Sequence, residues 1–191
     1  HRGRPDSRGA TAHNLRSIIT LKLRVDVLGA VLPRIATTGI IAFDGARARL
    51  AAHAPKLQEA DDKLWRRVEP VLAQAGPRSL SVTELAEEIG DDAKRLEAFL
   101  IRAARLGMVT QISKNRFFTP ASVCELAAIA ERVAANNEDG LLTPAEFRDG
   151  SGIGRNLAIE VLEFFDKARF TRRSAAGRTV LKSAAEAFGN A

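Results

Sequence analysis

The chain is 191 residues long, 46% apolar and 27% charged, with a net charge of +6, which suits one soluble globular domain or several small ones. No apolar run approaches the roughly 18 residues of a membrane span, no signal-peptide pattern opens the chain, and a lone Cys124 excludes a disulfide framework and points to a reducing cytoplasm. The only methionine is Met108, so His1 is not a translation start and the sequence is expected to be a piece of a longer protein.

Taken in order, His1–Gly9 is basic, carries Gly and Pro, and reads as a loop. Thr11 is placed to cap a helix with Leu15, Ile18 and Ile19 on one face. A second amphipathic helix follows, with Leu28, Val31, Leu32 and Ile35 at helical spacing. Gly39, the β-prone run Ile40–Phe43, an Asp44-Gly45 turn and Arg47–Leu50 then spell a hairpin. These elements form a first module, residues 1–53. It lacks the opening helix of the modules after it and reads as truncated at its N-terminus.

The second module, 54–119, is the cleanest. A helix from about Glu59 to Ala75 turns Leu64, Val68, Val71 and Leu72 inward beside Trp65 and stops at Gly76-Pro77. Ser81-x-x-Glu84 is a capping box for a short helix that Gly90 closes. Asp91-Asp92 caps a third helix with Leu96, Phe99, Leu100 and Ala103 inward and Gly107 at its end, and a hairpin follows over Met108–Ile112 and Arg116–Phe118. Paired acids at helix starts favour the macrodipole, so Asp61-Asp62 and Asp91-Asp92 are expected to be caps and not a catalytic carboxylate pair.

The third module, 120–191, starts at Thr119-Pro120 with no linker, so the second and third modules are expected to form a rigid tandem. Its first helix carries Val123, Leu126, Ala127, Ala130 and Val133 inward and ends at Asn136–Gly140. Thr143-Pro-x-Glu146 opens a short helix that breaks at Gly150-Ser-Gly152, where Ser151 is expected to cap the next helix. That helix has Ala158, Val161, Leu162, Phe165 and Ala168 on one face. A hairpin follows, with Phe170-Thr171 and Arg178–Leu181 around a Ser-Ala-Ala-Gly turn. The module ends, marked by Gly39, Gly107 and Ala168, recur every 60–70 residues. Helix, tight turn, helix and hairpin is the winged helix-turn-helix, so the fold class is mainly α with small β-hairpins, a tandem winged-helix array. Units of that size fold alone only marginally, and packing between neighbours is expected to help.

Charge is unevenly spread. Residues 1–58 carry ten basic against three acidic groups, 121–154 two against six, and 155–182 seven against three. Such polarity reads either as one face offered to phosphates or as a solvated surface, and the basic end coincides with the last helix and hairpin. The Gly150–Gly154 stretch fails the dinucleotide fingerprint, because it follows a helix and Arg155 stands where the third glycine belongs, and no P-loop is present. It reads either as a turn presenting backbone N–H groups of a helix start to an anion, or as a helix-helix turn without a ligand. His1, His13 and His53 are scattered and complete no metal-ligand spacing, and no nucleophile–base pair is recognisable, so neither a metal site nor an enzyme activity is expected.

The basic residues are more telling. Arg155 opposes the macrodipole in the first turn of its helix, and a residue that breaks a local rule is a candidate for function. Arg169, Arg172, Arg173 and Arg178 cluster at the last hairpin, the wing, where they serve either nucleic-acid contact or solubility. Phe164, Phe165 and Phe170 read as core, whereas Phe147, beside Arg148 near the turn, is a candidate for base contact.

The motifs Ala145-Glu-Phe-Arg-Asp149, Gly152-Ile-Gly-Arg155, Leu157-Ala-Ile159, Leu162-Glu163, Phe165-Asp-Lys167 and Thr171-Arg-Arg173 resemble the C-terminal winged helix of the bacterial selenocysteine-specific elongation factors, the SelB family. The match is dense over 142–173 and looser upstream, where tandem modules and Ala52-His53-Ala-Pro55 agree. The resemblance implies a translation factor that carries selenocysteyl-tRNA to the ribosome and recodes an in-frame UGA. Its C-terminal winged helices would bind an mRNA hairpin, the selenocysteine insertion element. The GTPase part, with GTP and magnesium, would precede His1, so this chain is expected to need no cofactor and to hydrolyse nothing. The implied RNA-binding residues are Phe147, Arg148, Gly152, Gly154, Arg155, Asn156, Arg169, Arg172, Arg173 and Arg178. Asn156 departs from a Lys common in the family, and Ala175-Ala-Gly177 replaces an often acidic wing turn. A cytoplasmic monomer without membrane contact is expected. The alternatives from other classes are a winged-helix DNA-binding transcriptional regulator and a protein-interaction module.

Overall fold

The computed structural model describes residues 9–18, 23–43, 47–53 and 57–189. The His1–Arg8 part of the expected loop, Ile19, the Asp44-Gly45 turn and Ala54-Pro55 lie outside them. The chain separates into two compact units, His1–Ala60 and Asp61–Ala191.

In the first unit β1 (Ala10–Thr11) leads into α1 (Ala12–Ile18), with the Thr11 hydroxyl accepting from the Asn14 N–H at 3.2 Å. Helix α2 (Val25–Ala36) follows, then β2 (Ile41–Phe43) and β3 (Arg47–Leu50), and β3 lies between the other two strands of an antiparallel sheet. Only one stripe of α2 finds cover. Leu28 and Leu32 are buried, whereas Val31 and Ile35, expected inward, are 37% and 38% exposed and continue a stripe from Val27. The seven-residue α1 and a short hairpin are too small to cover both stripes.

The second unit holds all but the first two residues of α3 (Glu59–Ala75), then a single 3-10 turn at Gly76–Arg78, α4 (Val82–Ile89), α5 (Ala93–Arg105) and the β4 (Thr110–Ser113)–β5 (Arg116–Phe118) hairpin. The Ser81–Glu84 capping box forms in both directions, Gly90 takes a left-handed φ of 63°, and Asp92 accepts from the Arg95 N–H as the N-cap of α5. Asp61 is different from the cap expected. It sits inside α3, buried, and binds Arg102 of α5 through two hydrogen bonds of 2.6 and 2.7 Å, while Asp62 pairs with Arg66 one turn on. The helix start lies two residues earlier, so both acids fall past the cap position.

Helix α6 (Pro120–Asn136) starts at a Thr119 cap, and β6 (Leu141–Leu142), α7 (Pro144–Ser151), α8 (Arg155–Lys167), β7 (Thr171–Arg173), β8 (Arg178–Val180) and α9 (Ala184–Phe188) complete the chain. Strand β8 is central in the order β6-β8-β7, in register Leu142↔Arg178 and Arg173↔Arg178. A Cβ on Gly150 would lie 2.6 Å from Val133 Cγ2, so glycine is what lets α7 settle on α6. Ile112 and Phe118 of the β4–β5 hairpin belong to the same apolar core as Leu126, Phe147, Leu162, Phe165 and Phe170. That shared core makes the second unit continuous across Thr119-Pro120. Ser113 Oγ donates to Glu160 of α8 at 2.9 Å, and Arg116 lies 3.6 Å from the same carboxylate.

Removing one partner of the Asp61–Arg102 pair strands a buried carboxylate. Arg102→Ala is expected to lower unfolding free energy by about 2–3 kcal/mol, toward the low end for a buried pair because the arginine is one-third exposed. Urea denaturation reads this, and an Asp61→Leu/Arg102→Met double variant should recover most of the loss.

Candidate nucleic-acid interface

The turn between α7 and α8 is built by local sequence. Thr143 and Glu146 cap α7 reciprocally: the Glu146 carboxylate accepts from the Thr143 N–H at 2.9 Å and its hydroxyl at 2.7 Å, and the Thr143 hydroxyl accepts from the Glu146 N–H. Gly152 ends α7 with φ of 66°, a conformation that disfavours side chains bearing a Cβ. Ile153 tucks into the core, and Gly154 is the N-cap of α8. Ser151 was the expected cap, but it is the last residue of α7 and donates its hydroxyl back to the Phe147 carbonyl at 2.6 Å. A glycine cap leaves α8 without a side-chain acceptor for its first N–H groups, and no acid stands in its first turn. The corresponding end of α5 has Asp92 as cap and Asp91 beside it. Of these two helix starts, only the α8 one leaves its first N–H groups without a side-chain cap.

The exposed residues of this turn are Gly152, Gly154, Arg155 and Asn156. Ile159 continues the Arg155 stripe of α8 and is 37% exposed. Past the helix, Arg169 is exposed, and Arg172 and Arg173 are exposed on the edge strand β7. Arg155, Arg169, Arg172 and Arg173 make no side-chain hydrogen bond or ion pair among the described residues. Arg148 lies half-exposed on α7, and Asp149 holds it at 2.6 Å. Lys167, the last residue of α8, is exposed and likewise unpaired among the described residues. A lysine at a helix C-terminus has a structural reason in the helix dipole, which masks it as a contact residue in the sequence.

Two of the expected contact residues are interior. Phe147 is fully buried, with its ring edge-on to Phe165 at a centroid distance of 6.2 Å, so it cannot stack on a base. It sits on the one face of α7 that packs into the core, while Ala145 and Asp149 face solvent. Arg178 is 5% exposed and donates through Nε to Asp166 Oδ2 at 3.0 Å, while Thr171 Oγ1 donates to Asp166 Oδ1 at 2.6 Å. Lying on the central strand under β6, its guanidinium ties the wing to α8 and is not offered to solvent.

Comparison with known proteins bears on this geometry. Residues 134–180 match a family model described as elongation factor SelB, winged helix. The selenocysteine-specific elongation factor of Escherichia coli (strain K12) is 35% identical over 124 residues, covering 65% of this chain and 19% of that protein. The Haemophilus influenzae factor of the same name is 24% identical over 173 residues, 91% of this chain and 28% of its own length. A solved mRNA-binding domain of elongation factor SelB from E. coli, in complex with SECIS RNA, is matched over its whole length and 66% of this chain, with 32% identity and a TM-score of 0.59. The chain belongs to the SelB family. It spans about a fifth to a quarter of the length of the SelB factors it matches. The 134–180 match runs from the end of α6 to the last residue of β8, so the family's winged helix takes in both the α7–α8 turn and the wing. Among the described residues no group of His, Cys, Asp and Glu could hold a metal ion, and no helix is long and apolar enough to cross a membrane.

Two outcomes follow from this site. Asp166→Ala is expected to destabilise the chain by about 3 kcal/mol in chemical denaturation, since it leaves buried Arg178 without its acceptor. In Glu146, hydrogen bonds from the Thr143 hydroxyl and then the Thr143 N–H hold the carboxyl below its ordinary value of 4.5. The stability it contributes is complete above that value and is lost as pH falls through the lowered folded one. Denaturation midpoints should therefore fall more steeply below pH 4.5 in the native sequence than in Glu146→Gln.

Proposed function

We propose that this chain is the mRNA-binding part of a selenocysteine-specific elongation factor, and that its third module holds the selenocysteine insertion hairpin of the message. The observation that carries the reading is the match over the whole of a SelB mRNA-binding domain solved with SECIS RNA. The chemistry of the surface agrees with it: a glycine-capped helix start and exposed, unpaired arginines at Arg155, Arg172 and Arg173 offer donors to phosphate without first breaking an internal ion pair.

An A-form stem has a deep, narrow major groove that an α-helix cannot enter, so recognition falls on phosphates and on loop or bulged bases. The turn at Gly152–Asn156 meets the RNA backbone, and Arg172 and Arg173 clamp it from the wing. The parent factor's preceding domains bind GTP and selenocysteyl-tRNA on the ribosome, and the hairpin restricts delivery to the right UGA. In this reading the chain works in the cytoplasm as a monomer and supplies binding, with hydrolysis left to those domains. The relatives matched are translation factors, and none of them favours the DNA-binding regulator.

The deciding titration uses a hairpin from just downstream of an in-frame UGA in the source genome, a stem of equal charge with another loop, and a DNA duplex. Loop-dependent RNA binding is expected. Arg172→Ala/Arg173→Ala should weaken it and flatten the dependence of log K on log salt by about 1–2. Preference for DNA, or an unchanged slope in the double variant, would overturn the reading.

A further inference from the structure

In all three modules the helix that precedes the hairpin ends near a left-handed residue, and two do so by the same hydrogen bonds. After α5 the Met108 N–H reaches the Ala103 carbonyl and the Gly107 N–H the Ala104 carbonyl, both at 3.1 Å, with Gly107 at φ of 80°. After α8 the Phe170 N–H reaches the Phe165 carbonyl at 3.0 Å and the Arg169 N–H the Asp166 carbonyl at 3.1 Å. This is the Schellman ending, and its left-handed position favours glycine. Gly39 holds a left-handed φ of 75° in the first module, yet in the third the position falls on Arg169 at φ of 56°. The repeat mark is thus Arg169, one residue past the Ala168 that sequence spacing picked. Among the described residues it is the only non-glycine residue in the left-handed region of φ.

A Cβ built on Gly107 meets nothing within 4 Å, so at this turn the penalty for a side chain comes from its own backbone. Asn or Asp can offset that penalty with a local hydrogen bond, but Arg169 makes none through its side chain among the described residues. A strained cation, exposed and unpaired, stands three residues before Arg172 in a module whose sister solves the same turn with glycine. The helix dipole gives a cation at the end of α8 a structural reason, but it does not require the left-handed backbone, and strain kept without an offsetting side-chain bond points to a use outside the fold. We infer that Arg169 is a phosphate-contacting residue of the RNA surface, held in a left-handed turn at the expense of stability so that a guanidinium stands at the root of the wing. The inference rests on the proposed function and adds to it a position that a glycine would otherwise fill.

The test reads stability and binding together on the full 191-residue chain. Arg169→Gly is expected to raise Tm by about 2–6 °C by removing the strain. It should also weaken binding of the insertion hairpin about tenfold and reduce the salt slope by about 0.7–0.9. Arg169→Lys should keep both the native Tm and the native slope. A glycine variant that binds the hairpin with native affinity and slope overturns the inference, as does one whose Tm does not rise. Those failures leave the proposed function standing if the native chain binds the hairpin; failure of the native chain itself removes both.

Discussion

Asp166 stands where the last long helix hands the chain to the wing, and its two carboxylate oxygens take one donor from each wing strand, Thr171 and Arg178. The rest of the basic surface depends on this arrangement. A buried guanidinium is tolerable only with its charge matched and its donors used, so Arg178 is fixed, and with it the strand that carries the wing. The root is closed on the apolar side by Phe165, Phe170 and Phe188, with ring centroids 4.9 to 5.6 Å apart. Residues outside this clamp, Arg172 and Arg173, are therefore presented from a defined position on the edge strand.

The same module shows how one repeated design is given different ends. At α5 the helix start is satisfied from within by Asp92 and crowded by Asp91, which itself draws Arg67 and Arg95. At α8 the start is glycine and the first charge is Arg155. The β4–β5 hairpin has also been given different work, because its Ile112 and Phe118 are committed to the neighbouring core and Ser113 and Arg116 to Glu160. Within the second unit this leaves the β7–β8 wing as the one whose tip is not packed on another module's helix.

Much of this was legible locally. The Ser81–Glu84 and Thr143–Glu146 boxes, the Thr119-Pro120 start and the Gly152 turn need only neighbours within four residues, and the sequence places them. What escaped reading depends on distant partners or on very short elements. Nothing in the spacing of Asp166 and Arg178, twelve residues apart, distinguishes an interior arginine from the exposed ones beside it. Asp61 and Arg102, 41 residues apart, hide the same way behind a cap signal. Strand β6, two residues long, and α9, five, are too short for periodicity to register, yet α9 brings Phe188 to the wing root. The turn and Arg155 were legible from helix geometry, whereas Arg172 and Arg173, on opposite faces of β7, are both exposed because β7 is an edge strand. Phe147 stands beside Arg148 near the turn in sequence, yet it occupies the core face of α7.

Glu160 lies one turn beyond Asn156 on α8, so a helix held through Glu160 by the neighbouring hairpin presents its opening residues from a fixed azimuth. Rotation of α8 about its axis would have to tear Ser113 and Arg116 from that carboxylate and lift Ile112 out of the core. The helix is thus preorganised before any ligand arrives. Ordering entropy that a free-standing helix-turn-helix would surrender on association has already been surrendered in folding. On the proposed function, a helix held this way gains affinity by what it does not have to immobilise, and Ser113, Arg116 and Ile112 contribute through the helix they fix.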